Sequence, residues 1–239
     1  MKHLLPMTKG GSTSSNSLRA LATWSGGKDS CYAFYLSMRR GIRVTGLLNA
    51  TAEDRSVSAF QGVPSGIVRL QAQRVGLPLY SYELSQPENP ASCLAESAQA
   101  LDRLRKRIKF NALISGHNDP ADPQREHMLN LCRPRGLALI DPHCGHDTRK
   151  ELESFLKAGF HTIIVKIQKG RIDPVWLGRP LDGNFLDYLA LKKIVNFCGD
   201  DEYQSLVLDG PIFTRPIELT RVNHTEDAQS YQLSIQTYR

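Results

Sequence analysis

Four short apolar runs in the first half of the chain alternate with longer stretches of helical periodicity. The runs predict buried strands at 18–24, 43–49, 78–84 and 111–116. The stretches between them predict helices that end at Gly41, at Gly76 and near Lys109. Strands that alternate with helices in this way form βαβ units. We therefore predict an α/β fold with a doubly wound, mostly parallel sheet.

The pattern loosens after Pro142, where a smaller second half begins. It predicts helices at 148–158 and 184–195, strands at 160–167 and 202–208, and an edge hairpin around Asn223 and His224 in the tail at 216–239. We expect an α/β domain at 18–140 and a smaller α+β domain at 141–239. Residues 1–17 are rich in Gly, Ser, Thr and Asn, which is typical of a flexible N-terminal lead-in.

The composition limits the possible classes of function. Hydrophobic residues make up 41% of the 239 residues, which is enough for a sizeable core. The formal charge of +6 suits an anionic substrate, but the basic residues are spread out and give no strong nucleic-acid signal. No apolar run approaches the length of a membrane span. We expect a cytoplasmic protein that does not bind a membrane.

The cysteines and histidines give weaker signals. Five cysteines without a CxxC pair argue against a disulfide framework and against a structural zinc site. His143 and His146 lie in a loop on either side of Cys144-Gly145 and are minor candidates for a site role. His161 lies in an apolar run and is typical of a structural residue.

The stretch that joins the first predicted strand to the first helix carries the strongest chemical signal. It reads Ser25-Gly26-Gly27-Lys28-Asp29-Ser30. The glycines allow a tight turn and a close approach of backbone N–H groups to a phosphate at the positive end of a helix. Lys28 adds a mobile positive charge, and the serines add hydroxyl groups. The stretch predicts an anion site; a glycine turn with incidental polar residues is the alternative.

This loop lacks the residue spacing of a Walker A motif. It resembles the pyrophosphatase loop (PP-loop) of the N-type ATP pyrophosphatases, whose fold is HUP-like. The resemblance implies that the loop binds ATP, which is cut between the α- and β-phosphates. Leu48 and Asn49 lie at the end of the second predicted strand and Gly116 at the end of the fourth, so we expect them to border the same ATP site. Asp29 is a candidate for binding Mg²⁺ or its water, with helix capping as the alternative.

A second dense polar stretch runs from residue 198 to residue 213. It contains four carboxylates beside a glycine turn and Pro211. Such clusters are typical of solvated acidic loops. The alternative is a pocket that binds an ammonium group or Mg²⁺, or that orients a nucleophile.

Together the two stretches resemble the diphthine–ammonia ligase family. Its members pair the Ser-Gly-Gly-Lys-Asp-Ser loop with a late acidic segment, which here runs into Asp209-Gly210-Pro211-Ile212-Phe213. The resemblance covers nearly the whole folded chain. It implies an ATP-dependent amide ligase, in which a carboxylate attacks the α-phosphorus of ATP, pyrophosphate leaves, and ammonia displaces AMP.

The resemblance also implies roles for individual residues. Lys28 and the N–H groups of Gly26, Gly27 and Ser30 would neutralise charge on the β-phosphate during catalysis. Asp200 and Glu202 would be catalytic and would hold ammonia or the acceptor. The remaining residues of the implied acceptor site are Gly199, Ser205 and Gln61.

The chain departs from the family pattern at several positions around these motifs. The departures are Gln61, His117, Asp200, Asp201 and Ser205. The stretch at 60–63 resembles bacterial-type members, for which diphthamide synthesis is not the expected role. The departures leave ATP use intact and leave the acceptor open.

Several alternatives therefore stand beside amidation of a protein side chain, as in diphthamide formation on elongation factor 2. They are amidation of a small carboxylate such as a corrinoid precursor, modification of tRNA by a PP-loop enzyme, and nucleotide binding without catalysis. The expected partners are ATP, ammonia and a carboxylate acceptor, with Mg²⁺ as cofactor. A homodimer is an open alternative to a monomer.

Overall fold

The computed structural model describes residues 18–54, 56–194 and 202–239. A five-stranded parallel sheet, of order β3-β2-β1-β4-β5, forms the first half. Its strands are β1 (Arg19–Thr23), β2 (Arg43–Ala52), β3 (Leu79–Leu84), β4 (Ala112–Ile114) and β5 (Ala138–Ile140). The predicted α/β fold with a mostly parallel sheet is confirmed.

Four helices cover both faces of this sheet. They are α1 (Lys28–Arg39), α2 (Ser65–Val75), α3 (Pro90–Arg105) and α4 (Pro123–Cys132). Alternation along β1 sends Ala20 and Ala22 into the core beneath α1 and α2, and sends Leu21 into the core beneath α3 and α4. Coverage on both faces makes the sheet doubly wound.

A four-stranded antiparallel sheet, of order β7-β6-β9-β8, forms the second half. Its strands are β6 (His161–Gln168), β7 (Tyr203–Asp209), β8 (Leu219–Glu226) and β9 (Ser230–Tyr238), and its helices are α5 (Thr148–Lys157) and α6 (Gly183–Leu191). Short 3₁₀ turns lie at Arg133–Arg135 and Pro174–Trp176. None of the helices in the described residues is long and apolar enough to span a membrane.

One hydrophobic core joins the two halves. The Phe155 ring of α5 stacks on Phe160 at a centroid distance of 4.6 Å, and both rings meet the edge of Tyr32 on α1. Ile164 of β6 and Leu206 of β7 belong to the same buried cluster as the first turns of α1. The second sheet therefore packs against the helix that follows the glycine loop.

The strand order places residues 25–30 at a switch point of the parallel sheet. The connection from β1 turns to β2 on one side, while β4 lies on the other side of β1. Ligands of open α/β sheets bind at such a point, outside the carboxyl ends of the strands. The loop therefore occupies the position at which this fold binds ligands.

Some predicted boundaries were wrong. The third helix ends at Arg105 and not near Lys109, and the helix predicted at 184–195 ends at Leu191. Asn223 and His224 lie within β8, and the hairpin turns at 227–229.

The carboxylate of Asp227 explains the position of that turn, because it accepts hydrogen bonds from the N–H groups of Gln229 and Ser230. The lead-in at 1–17 lies outside the described residues, and the division of the chain near residue 140 stays a prediction.

Candidate ATP-binding loop

The glycine loop leads directly into α1. Gly26 has a φ of +91°, a conformation that favours glycine, and Gly27 is the N-cap of α1 without a capping side chain. The Oγ of Ser205 supplies the missing cap, because it accepts a hydrogen bond of 3.2 Å from the Lys28 N–H. A strand of the second half therefore completes the start of a helix in the first half.

The loop presents free backbone donors. Within the described part of the chain, the N–H groups of Gly26, Asp29 and Ser30 have no hydrogen-bond acceptor. The Oγ atoms of Ser25 and Ser30 lie 3.3 Å apart at the same turn. Unpaired N–H groups at the positive end of a helix attract an anion. The geometry suits an anion, although the Gly27 N–H, one of the predicted donors, is bonded to Ser25 Oγ at 3.3 Å. Anion binding at this turn stays a prediction.

Gln71 of α2 holds the loop in place. Its side chain is fully buried; Oε1 accepts a hydrogen bond from Trp24 Nε1, and Nε2 donates to the carbonyl oxygens of Gly26 and Val207. The Val207 N–H also donates to the Gly26 carbonyl, at 3.1 Å. A buried amide therefore joins β1, the loop and β7. A polar residue on the apolar face of a helix is the sequence signal that could have revealed it.

The Lys28 side chain is buried beside the loop. It is only 4% exposed; its Nζ lies 2.8 Å from Asp29 Oδ2 and 5.1 Å from the centre of the Tyr203 ring. The carboxylate and the ring face offset the cost of burying the ammonium group. An arriving phosphate would compete with Asp29 for this charge.

Gly116 and Asn118 border the loop from the end of β4. A Cβ on Gly116 would lie 2.8 Å from the carbonyl carbon of Asp29, so only glycine permits this approach without displacement. Asn118 Nδ2 lies 3.4 Å from Asp29 Oδ1. The predicted proximity of Gly116 to the loop is present, and its contact with ATP stays a prediction.

Leu48 and Asn49 border the loop from β2. The Leu48 carbonyl accepts a hydrogen bond from the Trp24 N–H, and Asn49 Nδ2 donates to the Trp24 carbonyl at 2.7 Å. Both residues are buried. They fix the residue that precedes the loop, and their contact with ATP stays a prediction.

The predicted acceptor residues fall into three groups: two that contact the loop, one that forms an ion pair, and two outside the described residues. Gln61 Nε2 donates to the Ser205 carbonyl at 2.8 Å, and the Gln61 amide lies against Gly27. Ser205 itself caps α1. The Glu202 carboxylate forms an ion pair of 2.9 Å with Arg171. Gly199 and Asp200 lie outside the described residues, as do Asp201 and Cys198.

Sequence reasoning missed Glu151, which lies next to the loop. This buried residue of α5 lines a small cavity together with Lys28, Asp29 and Tyr32. Its Oε1 lies 3.0 Å from Nδ1 of His143, which is also buried. No local motif marks Glu151, because it reaches the loop only through the packing of α5 on α1.

His117 lies in a cluster of titratable groups near the loop. Its Nδ1 contacts the Ser115 hydroxyl, and its Nε2 lies 3.9 Å from Asp122 Oδ2. Burial lowers the pKa of His117, although the charges of Asp122 and Asp141 act in the opposite direction. Burial raises the pKa of Asp141 against the opposing effect of Arg125, which lies 2.8 Å away.

A metal site built by the protein alone is absent from the described residues, which contain no group of three His, Cys, Asp or Glu side chains able to hold an ion. Asp29 is the carboxylate of the loop, and its side chain is 36% exposed. Mg²⁺ often binds through one carboxylate together with substrate phosphates and water. Asp29 therefore fits Mg²⁺ that arrives with a nucleotide.

Comparisons with known proteins agree with this architecture. The family model "Diphthamide synthase N-terminal domain" matches residues 18–139, and "Diphthamide synthase C-terminal domain" matches residues 147–238. A diphthine–ammonia ligase of Bos taurus is 28% identical over 233 residues, which cover 88% of this chain and 87% of the relative. The proteins of the same name from Danio rerio and Homo sapiens are each 27% identical, over 91% and 87% of their lengths.

Proposed function

This chain belongs to the diphthamide synthase family, and we propose that it is an AMP-forming, ATP-dependent ligase that amidates diphthine with ammonia. The free N–H groups of the loop, beside the buried Lys28, are the observation that carries the proposal. They suit the β-phosphate of ATP, on which negative charge grows as pyrophosphate leaves. The names of the relatives support diphthine as the acceptor.

The proposed reaction has two steps. A carboxylate oxygen of diphthine attacks the α-phosphorus, and the bond to the bridging oxygen breaks, which gives an acyl adenylate and pyrophosphate. Ammonia then attacks the acyl carbon, AMP leaves with the bonding electrons, and one proton is lost. The loop N–H groups and Lys28 act in the first step by holding the leaving pyrophosphate.

Mg²⁺ is the proposed cofactor. When bound, it would neutralise phosphate charge, with Asp29 as the protein ligand. Asn118 and Lys28 now contact the two carboxylate oxygens of Asp29 and fix its orientation at the mouth of the loop.

The acceptor side of the site is assigned to the second half of the chain. We place diphthine and ammonia near Gly199, Asp200 and Glu202, with Ser205 and Gln61 joining that side to the loop. Since Ser205 binds the Lys28 N–H, the acceptor and the phosphates would be held on one continuous hydrogen-bonded unit. A cytoplasmic location is a further part of the proposal, and a homodimer stays an open alternative to a monomer.

Release of AMP and pyrophosphate from ATP tests the proposal directly. The purified chain is incubated with ATP, Mg²⁺, ammonia and elongation factor 2 that carries diphthine. We expect AMP and amidated factor in equal amounts. The Lys28→Ala variant should lose about 100-fold or more in rate, as is typical when a group that stabilises developing charge is removed.

Lys106→Ala is the matched control, because Lys106 is exposed at the end of α3 and should leave the rate unchanged. Omission of ammonia should stop amide formation. If the wild-type protein forms no AMP with the diphthine substrate, the proposed acceptor is wrong. AMP formation with a small carboxylate instead would then identify the other ligase alternative.

A further inference from the structure

A groove of about 580 Å³ follows the face of α2 that points away from the loop. Gly66, Arg69, Leu70, Gln73 and Arg74 line one wall, and they recur at the spacing of one helical face. Gln71, which holds the loop, lies on the opposite face of the same helix. The groove is therefore separate from the proposed catalytic site.

Four arginines surround the groove. Arg69 and Arg74 come from α2, whereas Arg215 and Arg239 come from the opposite wall. Glu218 also lines the groove and forms an ion pair of 2.7 Å with Arg239. Arg69, Arg74 and Arg215 have no carboxylate partner within the described ranges. The groove thus carries an excess of positive charge that the described protein does not neutralise.

Arg74 is the least expected of these residues. It is only 8% exposed, and its Nε is buried without a hydrogen-bond partner among the described residues. Burial and the nearby charge of Arg215 lower the pKa of Arg74. A like-charged neighbour is costly for a guanidinium group that is buried. An anion in the groove would offset the repulsion between Arg74 and Arg215.

The remaining walls suit a compact ligand. Tyr238 lies against Gly66, where a Cβ would clash with the tyrosine hydroxyl. Gly66 belongs to the first turn of α2, which contains no acidic residue. The positive end of α2 therefore adds to the potential of the arginines. Leu70 and Pro216 supply apolar surface.

We propose that this groove binds an oligophosphate, either free or attached to a nucleoside. The arginines approach from two walls, which suits tetrahedral phosphates with oxygens in several directions better than one planar carboxylate. The lining stretch of α2, from Gly66 to Arg74, is about 12 Å long, so linked phosphates can contact Arg69 and Arg74 together. The groove volume lies within the range of small-molecule sites.

Calorimetric titration with tripolyphosphate tests the proposal. All proteins carry Lys28→Ala, which weakens binding at the catalytic loop. Against this background, Arg69→Gln with Arg215→Gln should weaken binding by about tenfold or more, because two charge-assisted contacts are lost. Arg103→Gln with Arg221→Gln is the matched control, because it removes the same charge at exposed positions outside the groove. It should change the affinity less than about twofold, since exposed charges contribute little energy.

The Arg74 Nε–H signal in nuclear magnetic resonance spectra gives a second, local readout. Tripolyphosphate, or ATP, should shift this signal in the Lys28→Ala protein. Equal affinities of the groove and control variants would overturn the proposal, as would an unmoved Arg74 signal. The proposal would also be overturned if citrate bound more tightly than tripolyphosphate. The same holds if an RNA oligonucleotide bound and tripolyphosphate did not. None of these readouts depends on ligase activity.

Discussion

The Ser205 Oγ accepts a hydrogen bond from the Lys28 N–H across a separation of 177 residues. Helix caps are normally local, but the N-cap residue of α1 is Gly27, which has no side chain. The cap comes from β7, and the rest of β7 binds the loop through Val207. Contacts from the second half of the chain therefore help to hold the shape of the loop.

Replacement of Ser205 by alanine should destabilise the protein by about 1 kcal/mol, the usual cost of losing a helix cap. Urea unfolding measures the loss. Ser37→Ala is the matched control, because the Ser37 hydroxyl is buried in α1 without a hydrogen-bond partner in the described residues. That variant should be neutral or more stable. Equal losses in the two variants would contradict the capping role of Ser205.

Gln71 should be still more sensitive, because three buried groups depend on its amide. Gln71→Met leaves Trp24 Nε1 and the carbonyl oxygens of Gly26 and Val207 with fewer partners. We expect a loss of about 3 kcal/mol, since each unsatisfied buried group costs about 1–3 kcal/mol. Urea unfolding and the fluorescence of Trp24 report the change.

Gln73→Met places the same substitution on the exposed face of α2 and should change the stability by less than about 0.5 kcal/mol. If Gln71→Met is as stable as Gln73→Met, the amide does not hold the loop.

Local sequence signals predicted the parallel sheet and the glycine loop, because both depend on short-range patterns. The same signals did not predict α4 and β5. Only Leu131 and Cys132 of α4 are buried, so its periodicity is weak, and β5 has three residues, all only partly buried or exposed. Short elements with few core residues are defined by their neighbours and not by their own pattern.

The candidate site divides in the same way. The sequence of the loop predicted the free N–H groups of Gly26 and Ser30 but not that of Asp29, and the predicted Gly27 N–H donates to Ser25 Oγ. The residues that support the loop come from distant segments. Gln71 and Glu151 reach the loop through the packing of α2 and α5, and Ser205 reaches it through β7. The sequence predicted Ser205 as a residue of the acceptor site and did not predict that it caps α1. Long-range contacts of this kind follow from tertiary structure alone.

Gly116 should tolerate no side chain. In Gly116→Ala the new Cβ would lie 2.8 Å from the Asp29 carbonyl carbon and would push the loop backbone away. Overpacking of this kind costs about 1–3 kcal/mol, and we expect ATP to bind at least roughly tenfold more weakly. Equilibrium binding of a non-hydrolysable ATP analogue and urea unfolding measure the two effects.

Gly183→Ala provides the control for that substitution. Gly183 begins α6, and a Cβ there would meet no atom within 4 Å. The variant should keep its affinity for the ATP analogue and gain up to about 1 kcal/mol in stability. Normal ATP binding by Gly116→Ala would show that the end of β4 does not set the position of the loop.

Acidification should destabilise the protein through His117. Burial lowers the folded-state pKa of this residue below its ordinary value of about 6.5. As the pH falls from the ordinary histidine pKa towards the lowered pKa of folded His117, the unfolded chain takes up a proton more readily than the folded chain. The folded state therefore loses stability. Each unit by which the pKa is lowered corresponds to about 1.4 kcal/mol. His127 adds a change of the same sign, because burial and the charge of His117 lower its pKa.

His117→Asn removes one titrating group and should reduce the loss of unfolding free energy between about pH 7.5 and pH 5.5, an interval that spans the ordinary histidine pKa. The raised pKa of Asp141 has the opposite effect on the pH dependence. Its contribution to the stability of the fold is lost as the pH rises above the ordinary Asp range. The charge of His117 also lowers the pKa of Asp141, so the comparison of variants reports the combined contribution of the two groups. His224→Asn, at an exposed position of β8, should keep the wild-type pH dependence. An unchanged slope in His117→Asn would exclude His117 as a source of acid sensitivity.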